Sequence, residues 1–188
     1  MQTNVRKVAI LAMMVALSLL LIMFVKVPLF ANFLIYEPGD VPILIVGFMF
    51  GPAMGIVASL IVAVAMALFT GLGGPFGAFM HFLATGTMVG LAGSVYRLRR
   101  TKGGAMLGML AGGLTMAAIM VVANLLLDPI FYGMPREAVL PLLAPAIIPF
   151  NLAKAGINSV VTFVLYKRTA TFLRRYSQEA YARGNGSR

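Results

Sequence analysis

Residues Ala105 to Leu127 read AMLGMLAGGLTMAAIMVVANLLL, a run without a charge whose most polar side chain is Asn124. A helix that crosses a ~30 Å hydrocarbon core needs about 20 consecutive apolar residues, and this run meets that length. Similar runs lie on both sides of it: Val8 to Val25, Val41 to Phe50, Ala53 to Phe69, Ala78 to Tyr96 and Leu140 to Tyr166. Val41 to Phe50 is too short to cross alone. It stops at Gly51-Pro52, where proline removes a backbone donor and crowds the preceding turn, so it forms a tight hairpin with the run that follows. Gly71-Leu72-Gly73-Gly74-Pro75 cannot propagate a helix and reads as a turn. Composition agrees, with 61% apolar and 11% charged residues among 188 and a mean hydropathy of +0.96, against roughly 25% charged in soluble domains. The expectation is an all-α polytopic membrane protein with six transmembrane helices. The membrane domain spans 1–176, and a basic, disordered cytoplasmic tail spans 177–188.

The formal net charge is +10. A nucleic-acid surface would need those cations in a stripe across a folded face, whereas here they sit between and after the apolar runs, so nucleic acid is not expected as a partner. Arg6 and Lys7, then Arg97, Arg99, Arg100 and Lys102, then Lys167, Arg168, Arg174, Arg175, Arg183 and Arg188 fall on one side of a six-helix count. Basic residues near helix ends are retained on the cytoplasmic side, so both termini are expected there. The opposite side receives Lys26 and Arg136 together with every acid except Glu179. Arg6 and Lys7 before Val8 also suit a signal peptide, but no small-residue cleavage site follows, and the run is read as a retained helix. With no cysteine there is no disulfide framework, thiol nucleophile or cysteine-ligated metal.

Lys154 lies within the last apolar run, where an ammonium is costly unless it is paired or lines a cavity. Snorkelling to an interface, or bonding to backbone carbonyls, is the structural alternative. Asn151 and Asn158 are three and four positions away and share its helical face. Asn124 has the donors and acceptor to read the amide edge of a heterocycle, or to join two helices. His81 is the only histidine. It is a candidate ligand contact or a packed, hydrogen-bonded side chain, and it cannot build a usual metal site alone. Tyr36, Phe79, Phe82, Phe131 and Tyr132 offer flat faces to an aromatic ligand, and equally suit bilayer packing. The 14 Met suit adaptable packing. Ala9, Ala12 and Ala16 form a small-residue face on the first helix that lets another helix approach. The chain lacks G-x-x-x-x-G-K-[ST], H-E-x-x-H and G-x-S-x-G, so neither ATP hydrolysis nor a membrane hydrolase is expected. No carboxylate is placed within the membrane, which argues against a proton relay; uphill transport would draw its energy from a partner.

Two stretches carry a family resemblance. The first is Tyr36-Glu37-Pro38-Gly39-Asp40-Val41-Pro42-Ile43-Leu44-Ile45, followed by Phe50-Gly51-Pro52-Ala53-Met54-Gly55. The second is Pro149-Phe150-Asn151-Leu152-Ala153-Lys154-Ala155-Gly156, ending at Leu165-Tyr166-Lys167. In that order, over essentially the whole chain, they resemble the substrate-binding S components of energy-coupling factor vitamin transporters, and within them the riboflavin-specific branch. The resemblance implies a six-helix subunit that binds one vitamin on its outer side, under the first loop and between helices four to six. It also implies a complex with a transmembrane coupling protein and two ATPases, contacted through Ala9, Ala12 and Ala16. Flavin-holding roles transfer to Asn151 and Lys154, and to Asn124. Around Gly77-Ala78-Phe79-Met80-His81-Phe82 relatives often carry an acid after the glycine and an Asn before the last Phe, where this chain has Ala78 and His81. The implied function is capture of riboflavin, or a close flavin such as FMN, without catalysis or cofactor, in a prokaryotic cell membrane. The alternatives are an S component for folate, thiamine or a pterin-like compound, or a membrane-embedded enzyme or channel in which Lys154 is a base or lines a pore.

Overall fold

The computed structural model describes residues 2–70 and 73–185, with side chains described for 5–32, 34–70 and 73–166. Helix α1 (Gln2–Phe24) leads into two strands, β1 (Val27–Leu29) and β2 (Ala31–Tyr36). Helices α2 (Asp40–Phe50), α3 (Pro52–Phe69), α4 (Gly74–Leu98) and α5 (Lys102–Phe131) follow. A short α6 (Arg136–Leu142), a π-helical turn (Leu143–Ile147) and α7 (Ile148–Asn185) complete the chain. Among the described residues five stretches are long and apolar enough to cross a membrane, and α2 is a shorter apolar helix. This is a polytopic, mostly helical membrane protein.

Local chemistry sets the breaks. Gly51 takes φ +96 and Pro52 opens α3, which ends α2 where expected. Gly73 and Gly74 both have positive φ ahead of Pro75, in the expected turn, whose Gly71 and Leu72 lie outside the described residues. Thr101 caps α5, accepting a hydrogen bond from the Gly104 backbone N–H at 3.0 Å. The tail expected over 177–188 falls where side chains lie outside the described residues.

Two features depart from expectation. The connection from Lys26 to Asp40 is not a plain loop: β1 and β2 pair antiparallel, Val27 with Tyr36 and Pro28 with Ile35, turning at Phe30 with φ +65. The last apolar run is helical throughout but carries a π-helical turn between α6 and α7. Pro145 falls in the π-helical turn and Pro149 in the first turn of α7, positions where a missing proline N–H is tolerated.

Helix α5 packs against α4 and α7. A Cβ added at Gly112 would lie 2.6 Å from the Met88 carbonyl oxygen, and one at Gly108 2.7 Å from that of Ala92. The α4–α5 contact therefore needs glycine. Met88, Val89, Met109 and Met116 fill the middle of the core. At the end carrying the N-terminus, the Phe48 ring lies 5.0 Å from that of Tyr96 and 5.6 Å from that of Tyr166, and the two tyrosine hydroxyls are 2.5 Å apart. Lys7 sits over the Phe50 ring at the same end, 5.7 Å from its centre.

Candidate functional site

Asp40, the first residue of α2, is 1% exposed and is the hub of a buried polar cluster. Its Oδ1 accepts from the Thr85 hydroxyl at 2.7 Å and its Oδ2 from the Asn158 amide at 2.9 Å. Lys154 Nζ lies 3.2 Å from Oδ2, so the ammonium inferred from sequence has a counter-charge. The helix N-terminus further favours a carboxylate there. Tyr36 donates to the Asn158 side-chain oxygen at 2.9 Å, and Ser18 of α1 donates to the Gly39 carbonyl at 2.6 Å. The segment from Tyr36 to Asp40 is thereby fastened to α1, α4 and α7. His81 Nε2 lies 3.5 Å from Asp40 Oδ1 without a hydrogen-bond geometry, and its Nδ1 is 4.0 Å from Glu37. Burial pushes the Glu37 carboxyl up to about 7, against the pull of Lys154.

Above this cluster opens a cavity of about 480 Å³, at the bundle end bearing the β-hairpin. That volume falls within the ~300–1,000 Å³ of small-molecule sites. Its wall is largely apolar, with Met66, Met80, Met120 and Met134 beside Phe76 and Phe150. Phe76 is stacked on Phe131 at 4.3 Å and meets Tyr132 edge-on at 5.0 Å, which holds its ring in place. The polar groups are few: Asn124, Asn151, His81 and Lys154, with Glu37 and Asp128. Asn124 donates to the Met120 carbonyl at 2.6 Å and Asn151 to that of Ile147 at 2.8 Å. These bonds to the preceding turn orient both amides and leave each carbonyl oxygen, and one N–H, without a partner among the described residues. The arrangement suits a flat, mainly apolar molecule with a polar edge.

Residues 6–166 match the family described as "ECF transporter, substrate-specific component". The chain belongs to that family. The "Riboflavin transporter RibU" of Staphylococcus aureus (strain TCH60) is 31% identical over 183 residues, 93% of this chain and 95% of its own. A solved structure described as "Structure and mechanism of the S component of a bacterial ECF transporter" superposes with a TM-score of 0.80 at 29% identity, covering 90% of this chain and 98% of that one.

In this substrate-specific component, Asn124, Asn151, His81 and Lys154 meet at one cavity. Tyr36 and Asn158 lie behind it, buried, and reach it through Asp40. Phe79 does not join them. It is 49% exposed and lines a separate apolar groove between α4 and α5, while Phe76, almost one turn earlier, supplies the ring. Phe131 is reached only through Phe76. Asp40 and Glu37, acids of the first connection, are buried in the protein, at 1% and 4% exposed. The need of Lys154 for a partner was the available signal; Asp40 is the acid in the stretch leading into the second apolar run. Ala9, Ala12 and Ala16 are exposed along one side of α1.

Proposed function

We propose that this S component captures riboflavin, or a close flavin such as FMN, on the outer face of a prokaryotic cell membrane and presents it to an energising module. The module comprises a transmembrane coupling protein and two ATPases, docking on Ala9, Ala12 and Ala16. ATP is used only by those partners, and the subunit catalyses nothing. The chain crosses six times, with both termini cytoplasmic. Orientation rests on the placement of Arg6, Lys7, Arg97, Arg99, Arg100 and Lys102 at the end opposite the cavity.

The observation that carries the reading is the meeting of one ammonium and two side-chain amides in a cavity whose wall is largely apolar and rich in methionine and aromatic rings. An isoalloxazine ring has a matching division. Its imide N–H needs an acceptor, which the oriented Asn124 and Asn151 oxygens supply, and its carbonyls need donors, which Lys154 supplies while held by Asp40. Methionines and Phe76 cover the dimethylbenzene end. The name of the Staphylococcus aureus relative adds independent support.

The test is the absorption spectrum of detergent-purified protein, followed by titration with riboflavin, folate and thiamine. A flavin spectrum and saturable riboflavin binding are expected. Saturable binding of folate or thiamine with none of riboflavin overturns the reading and points to the differing residues Ala78 and His81.

A further inference from the structure

Asp128 is 7% exposed, lines the cavity, and makes no side-chain hydrogen bond or ion pair with any described residue. It sits one turn of α5 outward from Asn124, beside Tyr132 and the hairpin end. Glu37 adds a second carboxylate to the lining. Among the described residues that line the cavity the single cation is Lys154, already held by Asp40 at 3.2 Å, and none is an arginine; Lys26 acts on Glu37 from outside the lining. The described lining holds more acidic groups than cations, and Asp128 is uncompensated.

We propose that Asp128, seconded by Glu37, makes this cavity select a neutral, polyhydroxylated flavin and reject the 5′-phosphorylated form. The inference rests on the flavin reading and narrows it. A free carboxylate accepts hydrogen bonds from sugar-alcohol hydroxyls, and bonds to a charged acceptor are the stronger kind. The same group repels a phosphate dianion across a cavity of this size, where low dielectric strengthens the effect. Discrimination by an unpaired charge set against the wrong ligand is a general device. One feature opposes it. Gly73 and Gly77, at the N-terminus of α4, also line the cavity, and a helix N-terminus attracts anions.

The experiment measures dissociation constants of riboflavin and FMN for the full chain in detergent, by quenching of flavin fluorescence, for wild type, Asp128→Asn and Glu37→Gln. Wild type should bind FMN about tenfold or more weakly than riboflavin. Asp128→Asn should shrink that ratio by about tenfold, and Glu37→Gln by less. In wild type, raising the salt concentration should strengthen FMN binding while leaving riboflavin nearly unchanged, because screening weakens repulsion; this measurement stands even if the variant fails to fold. Equal binding of both flavins by wild type, or a ratio unchanged in folded Asp128→Asn, overturns the selection and leaves the attraction of α4 dominant. Binding of neither flavin overturns the flavin reading itself.

Discussion

Replacing Asp40 by asparagine is the most incisive test of the buried cluster. The substitution keeps the volume and one acceptor oxygen, but removes the charge that faces Lys154 at 3.2 Å. It also places an N–H donor where Lys154 or Asn158 already donates. Breaking a buried pair by removing one partner costs about 3–5 kcal/mol, chiefly because the surviving charge is left desolvated and alone. For a chain of this size each kcal/mol moves the melting temperature by about 2–4 °C, so Asp40→Asn should melt roughly 6–20 °C below wild type. The assay is thermal unfolding of detergent-purified protein, with riboflavin affinity measured in parallel. Lys154→Met and the double variant complete a cycle. Once the ammonium is gone, Asp40→Asn should cost much less, giving a coupling of about 2 kcal/mol or more. A melting temperature within about 2 °C of wild type, or additive effects in the double variant, would refute the account of Asp40 as the counter-charge.

Further outcomes follow from the same geometry. Asn151→Ala should weaken riboflavin binding by roughly tenfold or more, since it removes an oriented acceptor worth about 1–3 kcal/mol, without lowering the melting temperature comparably. Phe79→Ala should leave that affinity within about twofold, because the ring faces the outer groove; parallel titrations check both. The Glu37 carboxyl is raised from 4.5 to about 7 in the folded protein, so the fold binds that proton more tightly than the unfolded chain. Its contribution is complete below about 4.5 and is lost as pH rises through about 7, by at most about 3 kcal/mol. Melting temperature measured from pH 5 to 8 should fall for wild type, and Glu37→Gln should flatten the slope.

The long apolar runs are plain in the sequence because a membrane span demands a length and composition that little else shares. Gly51-Pro52 was equally plain, since few residues stop a helix so firmly. The β-hairpin was hidden: Val27 to Tyr36 mixes Pro28 and Asn32 with apolar residues and shows no steady alternation. Lys154 was legible because an ammonium among apolar residues calls for an explanation. Asp40 was not, because an acid at the edge of an apolar run reads as a loop residue until α7 is seen to bring Lys154 against it. The choice of Phe79 over Phe76 has a similar cause. Helix α4 carries apolar side chains on several faces, so spacing alone does not tell which ring turns inward and which meets lipid.

The cluster of Phe48, Tyr96 and Tyr166 gives the molecule a blind end. Beneath the cavity lie the methionines of the core and then these packed rings. With these layers packed below it among the described residues, the cavity is a stoppered vessel: release on the far side calls for the stopper to break or the vessel to tip over.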